Sequence, residues 1–352
     1  MFSIIGAGPS GNYLAYLLAK QNNEVQVFEE HKIIGSPVQC TGILTHKLEE
    51  FVPLDKSFVV NKINQTRVYS PNGNSINIKF QKPDLVVDRS KFDQYLADLA
   101  MKHGAVYHLE SRYQSNDDKQ VKVNGINIKS DHIIGADGPL SRVAKNNAMW
   151  CDRKFVSGHQ YTLKTSCEKD LVEFWLGIGM FGWLVPVDEY TARVGVVSYN
   201  NPSAHLKKLI SLRSPKSKIL SQETGLIPIY NPKQILQKDN VSLIGDAATQ
   251  VKATSFGGIV HSLKAAKLFS ENPSNYPQLC KKNLHKDLYL SLMIRKTLDK
   301  FSSEDYDELI KLFSKQKVQT ILETNSRDYP TKFILDLILA QPRFLKFLPK
   351  LI

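Results

Sequence analysis

Three glycines at fixed spacing lie near the start of the chain and indicate phosphate-binding chemistry. Gly6, Gly8 and Gly11 follow an apolar stretch, Phe2–Ile5, and lead into a segment of helical character, Pro9–Lys20. The first glycine permits a tight turn, the second lets the backbone approach a diphosphate, and the third lets helix and strand pack closely. Because free N–H groups at a helix N-terminus attract anions, the spacing predicts a dinucleotide site.

An acidic residue at the end of the next apolar segment supports this prediction. Glu29 directly follows Val25–Phe28, which we interpret as the second strand of a β-α-β unit. A carboxylate at this place accepts hydrogen bonds from ribose hydroxyls of a bound dinucleotide. The alternative is a glycine-rich turn without a ligand, but the strand, the helix and the acid together favour the ligand.

Two later segments have the same strand-then-turn character. The segment Ile133–Gly138 ends in Asp137-Gly138, and Val241–Ala248 contains Asp246 and is followed by Gly257-Gly258. Asp246, at the carboxyl end of a parallel strand, can accept a hydrogen bond from a ribityl hydroxyl. The glycine pair can present N–H groups to a phosphate or a flavin carbonyl. Each segment alone is common in proteins.

In this order and spacing, the three segments resemble the superfamily of flavin monooxygenases and geranylgeranyl reductases. Four stretches are similar to motifs of the archaeal geranylgeranyl reductases. They are Pro37–Gly42 to P-x-Q-C-[AT]-G, Asp88–Asp93 after Val87 to D-R-x-x-F-D, Gly245 with Asp246–Ile259 to G-D-A-A-G-Q-x-K-A-T-T-G-G-G-I, and Phe181–Pro186 with Gly195 to Y-x-W-x-F-P-x8-G-x-G. The resemblance covers essentially the whole chain. It implies FAD as the cofactor.

The resemblance also implies roles for individual residues. We assign cofactor binding to Gly6, Gly8, Ser10, Gly11, Glu29, Cys40, Thr41, Gly42, Arg89, Tyr113, Asp137, Asp246, Gly257, Gly258 and Ile259. Cys40, which the family places near the isoalloxazine, is the candidate catalytic residue as a proton donor; the alternative is a small buried filler. Phe181, Trp183, Pro186 and Phe256 are the substrate candidates, although aromatic residues on a strand are equally typical of a core.

The chain departs from the family pattern at several positions. Thr249 and Phe256 each stand where the family has glycine, Phe181 replaces a tyrosine, Val185 a phenylalanine and Val197 a glycine. We expect Phe256 to add bulk close to the flavin ring.

The order of elements predicts an α/β fold with α+β elements. We expect a glutathione-reductase-like FAD-binding Rossmann domain, an inserted antiparallel-sheet substrate domain and a helical C-terminal region. The FAD-binding domain is expected to be discontinuous. The assigned ranges are 1–56, 88–150 and 238–270 for the FAD-binding domain, 57–87 and 151–237 for the substrate domain, and 271–352 for the helical region.

Composition limits the partners. The chain of 352 residues has 46 Lys and Arg against 34 Asp and Glu, a formal charge of +12, which favours anionic partners. The basic residues are scattered, so we expect no nucleic acid partner. Four widely separated cysteines indicate neither a metal site nor disulfides, and no signal peptide is apparent. We therefore expect a cytoplasmic protein.

The C-terminal segment Phe333–Ile352 mixes apolar and basic residues. It fits peripheral docking on the cytoplasmic face of an anionic membrane, or equally a packed helix with a solvated basic face.

The sequence therefore favours an FAD-dependent oxidoreductase that reduces C=C bonds of geranylgeranyl chains, and we expect archaeal ether phospholipids as its substrates. One alternative is an FAD monooxygenase or halogenase of the same fold, although Phe181–Pro186 matches the halogenase stretch W-x-W-x-I-P only at Trp183 and Pro186. Another is a non-enzymatic prenyl-binding flavoprotein. A ferredoxin and NAD(P)H are both open as the external electron donor.

Overall fold

The computed structural model describes residues 1–351 of the chain. Two compact units can be separated. Unit 1 comprises Met1–Val38, Asp88–Lys154 and Pro228–Tyr289, and unit 2 comprises Gln39–Val87, Phe155–Ile227 and Leu290–Ile352. Residues 39–56, which the sequence analysis assigns to the FAD-binding domain, thus cluster with unit 2, as does most of the predicted helical region.

The strands are β1 (Phe2–Ile5), β2 (Val25–Phe28), β3 (Ile43–Leu44), β4 (Val59–Tyr69), β5 (Ser75–Val87), β6 (Val106–His108), β7 (Tyr113–Asn116), β8 (Gln120–Val123), β9 (Ile126–Lys129), β10 (His132–Gly135), β11 (Phe155–Lys164), β12 (Leu171–Leu176), β13 (Phe181–Pro186), β14 (Thr191–Ser198), β15 (Lys218–Pro228), β16 (Gln237–Lys238) and β17 (Val241–Leu243). The α-helices are α1 (Pro9–Lys20), α2 (Arg89–Lys102), α3 (Arg142–Asn146), α4 (Pro202–Arg213), α5 (Ile259–Glu271), α6 (Tyr276–Asn283), α7 (His285–Leu298), α8 (Ser303–Phe313), α9 (Gln316–Thr324) and α10 (Ile334–Ala340).

Unit 1 is built on a sheet in the order β16-β17-β10-β1-β2-β6. All neighbouring pairs are parallel except β16 with β17. The central strands are apolar because both faces of such a sheet are covered: Ile4, Val27 and Ile134 are fully buried. Helix α1 packs against α2 and α5. A small sheet, β7-β8-β9, contributes Val121 to the same core.

Unit 2 is built on a larger sheet in the order β15-β11-β14-β13-β12-β4-β5-β3. From β11 to β3 its pairings are antiparallel apart from β12 with β4, which are parallel. Strands β4 and β5 form an antiparallel hairpin with its turn at residues 71–74. Leu206 and Leu209 of α4 pack on one face of the sheet, against Leu184 and neighbouring valines.

The C-terminal helices belong to the packing of unit 2. Ile310 of α8 contacts Ile76 and Ile78 of β5, and Leu337 of α10 lies in a cluster with Val318 of α9. Among the described residues, no helix is long and apolar enough to cross a membrane.

Candidate functional site

Three parallel strands of unit 1 end side by side, and each leads into one of the segments that the sequence singles out. Ile5 of β1 is in register with Gly135 of β10, which is in register with Leu243 of β17. The turns after these strands therefore meet at one edge of the sheet, where the crevice of an open α/β sheet binds its ligand. Here the structure brings the first glycine motif, Asp137 and Asp246 together.

The glycines of the first segment differ in what surrounds them. A Cβ on Gly6 would lie 2.5 Å from the carbonyl oxygen of Ala136, and a Cβ on Gly11 would lie 2.1 Å from the carbonyl oxygen of Gly6. Neither position accepts a side chain. A Cβ on Gly8 would meet no described atom within 4 Å. The second glycine thus leaves a backbone surface at the start of α1 open, as a diphosphate requires.

Glu29 occupies the predicted place at the end of β2. Its Oε2 accepts the Ala7 N–H at 2.8 Å, and its Oε1 accepts the His31 N–H at 3.0 Å. The carboxylate is therefore fixed beside the glycine turn. Since an ionised carboxylate has about four acceptor positions, it can still accept hydroxyl donors.

Asp137 has an acceptor atom that the protein does not use. Its Oδ2 accepts the Val143 N–H at 3.0 Å. Its Oδ1 is buried and has no hydrogen-bond partner within the described part of the chain. Burial raises the pKa of this carboxyl group. Because buried polar atoms are nearly always paired, the orphaned oxygen fits a ligand hydroxyl.

The turn that contains Asp246 is held by polar side chains. The Gly245 N–H donates to Oε1 of Gln250 at 2.8 Å, Nε2 of Gln250 donates to the Tyr276 hydroxyl at 2.9 Å, and this hydroxyl donates to the Leu243 carbonyl at 2.9 Å. A Cβ on Gly258 would lie 3.2 Å from Oδ1 of Asp246, so the start of α5 passes close to the carboxylate. Gly258 thus borders Asp246, and Gly257 and Ile259 are its neighbours in the chain.

The pKa of Asp246 is raised to about 6, chiefly by burial, although the positive charges of Arg89 and Arg153 lower it. Arg89 begins α2 and pairs with Asp93 at 3.1 Å. Burial raises the pKa of Asp93, too, to about 6, against the effect of Arg89. The predicted residue Arg89 therefore lies within electrostatic range of Asp246.

Two residues of unit 1 that the sequence analysis does not single out connect these segments. Asn12 is fully buried and donates from Nδ2 to the carbonyls of Ala7 and Asp93, at 2.8 and 2.9 Å. Arg153 donates to carbonyls of the turns after β10 and β17. No local sequence pattern marks either residue, since their partners are set by the fold.

The backbone conformation at positions 249 and 256 explains why glycine suits them. Thr249 and Phe256 have backbone φ angles of +54° and +52°, in the left-handed region. For residues with a side chain this conformation costs about 1–2 kcal/mol. The sequence analysis considers only the bulk of Phe256, whereas the structure adds backbone strain at both positions.

Burial and the nearby charge of Asp137 raise the pKa of Tyr113, so this cofactor candidate lies within electrostatic range of Asp137. The ring is buried in the core cluster with Val121, Val143 and Met149, and its hydroxyl donates to Oδ1 of Asn116 at 2.5 Å. Its side chain therefore serves the packing of the small sheet, and its role in cofactor binding stays a prediction.

Within unit 2, the segment that carries Cys40, Thr41 and Gly42 is fixed by an arginine. Arg193 of β14 donates from Nη1 to the carbonyls of Thr41 and Val87, at 2.5 and 2.9 Å. The Gly42 N–H points to Sγ of Cys40 at 3.3 Å. Arg193 was also missed by sequence, because its partner Thr41 is 152 residues away.

The substrate candidates of unit 2 lie on β13, where alternation divides them between two faces. Phe181 and Trp183 share the face opposite to α4, with ring centroids 6.0 Å apart. Pro186 has the parity of Leu184, which faces α4, and its carbonyl accepts a hydrogen bond from Asn61. Pro186 therefore does not share a face with the two aromatic residues, and its assignment to substrate binding stays a prediction.

A glycine determines how Trp183 lies. Trp183, Gly195 and Gln160 are cross-strand neighbours on β13, β14 and β11. A Cβ on Gly195 would lie 2.3 Å from Cζ2 of Trp183, so the indole passes over the glycine. Its N–H then reaches Oε1 of Gln160 at 3.1 Å. This contact gives a reason for the W…G spacing of the motif.

Comparisons with known proteins agree with this architecture. A family model described as an NAD(P)-binding Rossmann-like domain matches residues 4–43. The chain is 25% identical to a digeranylgeranylglycerophospholipid reductase of Methanosarcina acetivorans, over 90% of this chain and 89% of the relative. It is 26% identical to the protein of the same name from Methanocaldococcus jannaschii, over 99% and 97%.

Solved structures give the same result for the fold. A geranylgeranyl bacteriochlorophyll reductase-like protein of Thermoplasma acidophilum superposes with a TM-score of 0.88 at 24% identity, covering 100% of this chain and 98% of that one. The resemblance to the geranylgeranyl reductase family is confirmed. The predicted fold class is confirmed with it. A flavin-dependent halogenase has the same fold, with a TM-score of 0.69 at 15% identity, covering 99% and 78%.

Substitution of the first-segment glycines should separate packing from ligand binding. Gly11→Ala should lower the free energy of unfolding by at least about 2 kcal/mol, because its Cβ meets backbone. Gly8→Ala should change it by less than about 1 kcal/mol but weaken dinucleotide binding by at least about tenfold. Denaturant unfolding and FAD titration measure the two effects. Equal loss of stability in both variants would contradict this division.

Proposed function

We propose that unit 1 binds FAD along the edge where β1, β10 and β17 end. The observation that carries the proposal is the meeting of three features at this edge: the open backbone at Gly8, the unused acceptor of Asp137 and the carboxyl group of Asp246, whose pKa burial raises. Glu29 would accept the adenosine ribose hydroxyls. Asp137 and Asp246 would accept hydroxyls of the ribityl chain, and the start of α5 would face the flavin.

The reaction that this site best supports is the reduction of C=C bonds in geranylgeranyl chains of archaeal ether phospholipids. Reduced FAD, when bound, supplies a hydride. An isolated alkene accepts a hydride poorly, so the protein must deliver a proton to the other carbon of the bond. The relatives named digeranylgeranylglycerophospholipid reductase support this substrate class.

The residues of unit 2 would supply the substrate surface and the proton. Phe174, Phe181 and Trp183 present aromatic rings on the sheet face opposite to α4, a surface suited to an isoprenoid chain. We assign the proton donor to the thiol of Cys40, which Gly42 and Arg193 hold in place. The electron donor is a ferredoxin or NAD(P)H.

The fold also accommodates oxygen-dependent chemistry, because flavin-dependent halogenases share it. Consumption of NAD(P)H that requires oxygen and is stimulated by an aromatic substrate would favour that function. Retention of only Trp183 and Pro186 from the halogenase stretch favours the reductase.

FAD affinity should depend on the protonation of Asp246. A bound hydroxyl donor favours the ionised carboxylate, so affinity should be full above the pKa of about 6 and fall by up to about tenfold per pH unit below it. Titration of FAD between pH 5 and 8 measures this. Asp246→Asn should bind weakly with a flat profile, whereas Asp93→Asn should keep the acid-side decline. A decline that survives in Asp246→Asn would show that another group causes it.

Lipid reduction tests the function directly. The FAD-loaded protein, reduced anaerobically with dithionite, should convert geranylgeranyl phospholipid to products heavier by about two mass units per double bond, as the addition of one hydride and one proton requires. Mass spectrometry detects the products. Cys40→Ala should slow the reaction at least about tenfold in protein that is saturated with FAD. Absence of any reduced product from flavin-loaded protein contradicts the function.

Access to such a lipid implies contact with a membrane, for which α10 provides a surface. Leu335 and Leu339 lie one turn apart and are 69% and 78% exposed. Exposed basic residues, Lys332 and Arg343, flank the two ends of this helix. We propose that this face docks on anionic lipid headgroups, with the leucines entering the interface.

Vesicle sedimentation tests this contact. The protein should bind vesicles that contain anionic phosphatidylglycerol, and Leu335→Glu with Leu339→Glu should reduce the bound fraction at least about fivefold. Leu212→Glu, at a leucine of α4 that is 63% exposed, is the matched control and should bind like the unchanged protein. Equal binding of all three proteins would place the membrane contact elsewhere.

A further inference from the structure

Arg153 is a buried arginine in unit 1, on the segment between α3 and β11. Only 7% of it is exposed. Burial of a guanidinium group is costly unless hydrogen bonds and favourable charges compensate. Its contacts therefore indicate what the fold gains from it.

The guanidinium group joins two turns that are far apart in sequence. Its Nη1 donates to the Pro139 carbonyl at 3.1 Å, in the turn that follows Asp137. Its Nη2 donates to the Ala247 carbonyl at 2.6 Å, directly after Asp246. One planar cation thus bonds the backbone beside both aspartates.

Further contacts fix the plane of this group. The guanidinium carbon lies 4.0 Å from the ring centroid of Trp150, and Nη2 also donates to Oε1 of Gln234 at 2.9 Å. Gln234 is itself held, since its Nε2 donates to the Met149 carbonyl at 2.8 Å. A stacked, forked arginine of this kind is not replaceable by lysine, whose ammonium has neither the plane nor the two-pronged geometry.

The charge of Arg153 acts on the same two aspartates. Asp246 is faced by Arg89 from α2 and by Arg153, which both lower its pKa against the effect of burial. Asp137 interacts with Arg153 as well. Two carboxylates that accept ligand hydroxyls are therefore accompanied by a cation bonded to their own turns.

We propose that Arg153 is the positioning residue of the flavin half of the cofactor site, which fixes the Asp137 and Asp246 turns at the separation that the bound ribityl chain needs. The inference rests on the proposed binding of FAD. Among the described contacts, the Arg153 side chain donates to Pro139, Gln234 and Ala247 but not to Gly6–Gly11 or Glu29. The adenosine half should therefore be independent of it.

Comparison of FAD with ADP separates the two halves. Arg153→Lys and Arg153→Gln should bind FAD at least about tenfold more weakly, while ADP affinity stays within about twofold, since ADP reaches only the adenosine half. Lys145→Gln is the matched control. The Lys145 ammonium lies 4.5 Å from the centroid of the Trp150 ring, yet no hydrogen bond joins its side chain to either turn among the described contacts, so this variant should bind both ligands normally.

The pH profile distinguishes geometry from charge. In Arg153→Gln the acid-side decline of FAD affinity should begin at higher pH, because the cation that favours ionised Asp246 is gone; in Arg153→Lys it should stay near the original pH. ADP binding also reports that each variant is folded. The inference is overturned if either Arg153 variant binds FAD normally, or if ADP affinity falls in parallel with FAD affinity. An unchanged protein that takes up ADP but no FAD would refute the proposed function instead.

Discussion

The backbone of Gly6 lies so close to the backbone of Ala136 that no side chain fits between them. This approach holds the turn after β1 against the turn after β10, while the parallel register aligns the end of β17 with both. The edge at which a ligand can meet three turns exists because of this contact. In a second close approach, the backbone of Gly11 lies against the carbonyl group of Gly6, which lets α1 pack closely on the end of β1. The same glycine turn therefore determines both how α1 packs and where a ligand can lie.

The same edge collects acidic side chains that a globular protein ordinarily keeps in water. Burial raises the pKa of Asp93, Asp137 and Asp246, and the two arginines nearby offset the effect at Asp246. Left-handed backbone at Thr249 and Phe256 adds strain to the loop after β17. Buried charge and strained backbone concentrate at functional sites, because a ligand gains from groups already fixed in place. Their coincidence in one loop supports a cofactor site at this edge.

In unit 2, the space left by a glycine is filled by an aromatic side chain and not by backbone. At Gly195 the missing side chain is replaced by the indole of Trp183, whose N–H is then satisfied by Gln160 two strands away. One face of the sheet is filled by α4, and the aromatic pair Phe181 and Trp183 lies on the other. A buried tryptophan with its polar atom paired is held rigidly, as a surface that orients an apolar chain requires.

Local sequence patterns determined several strands, helices and turns of this protein. The strands β1 and β2, the helix α1, the glycine spacing after β1 and the acid after β2 each depend on neighbouring residues, and the sequence predicts these three elements at the observed bounds. The helix α4 and the strand β15 were not predicted, because polar, mixed segments are stabilised by what they pack against. No local pattern marks Arg153 or Arg193, because the backbone carbonyls to which they donate, those of Ala247 and Thr41, are 94 and 152 residues away in the chain. The sequence by itself thus determined which turns hold phosphate-binding glycines and carboxylates. Only the tertiary structure decided which distant side chains hold those turns, because hydrogen bonds to backbone carbonyls leave no mark on residue spacing.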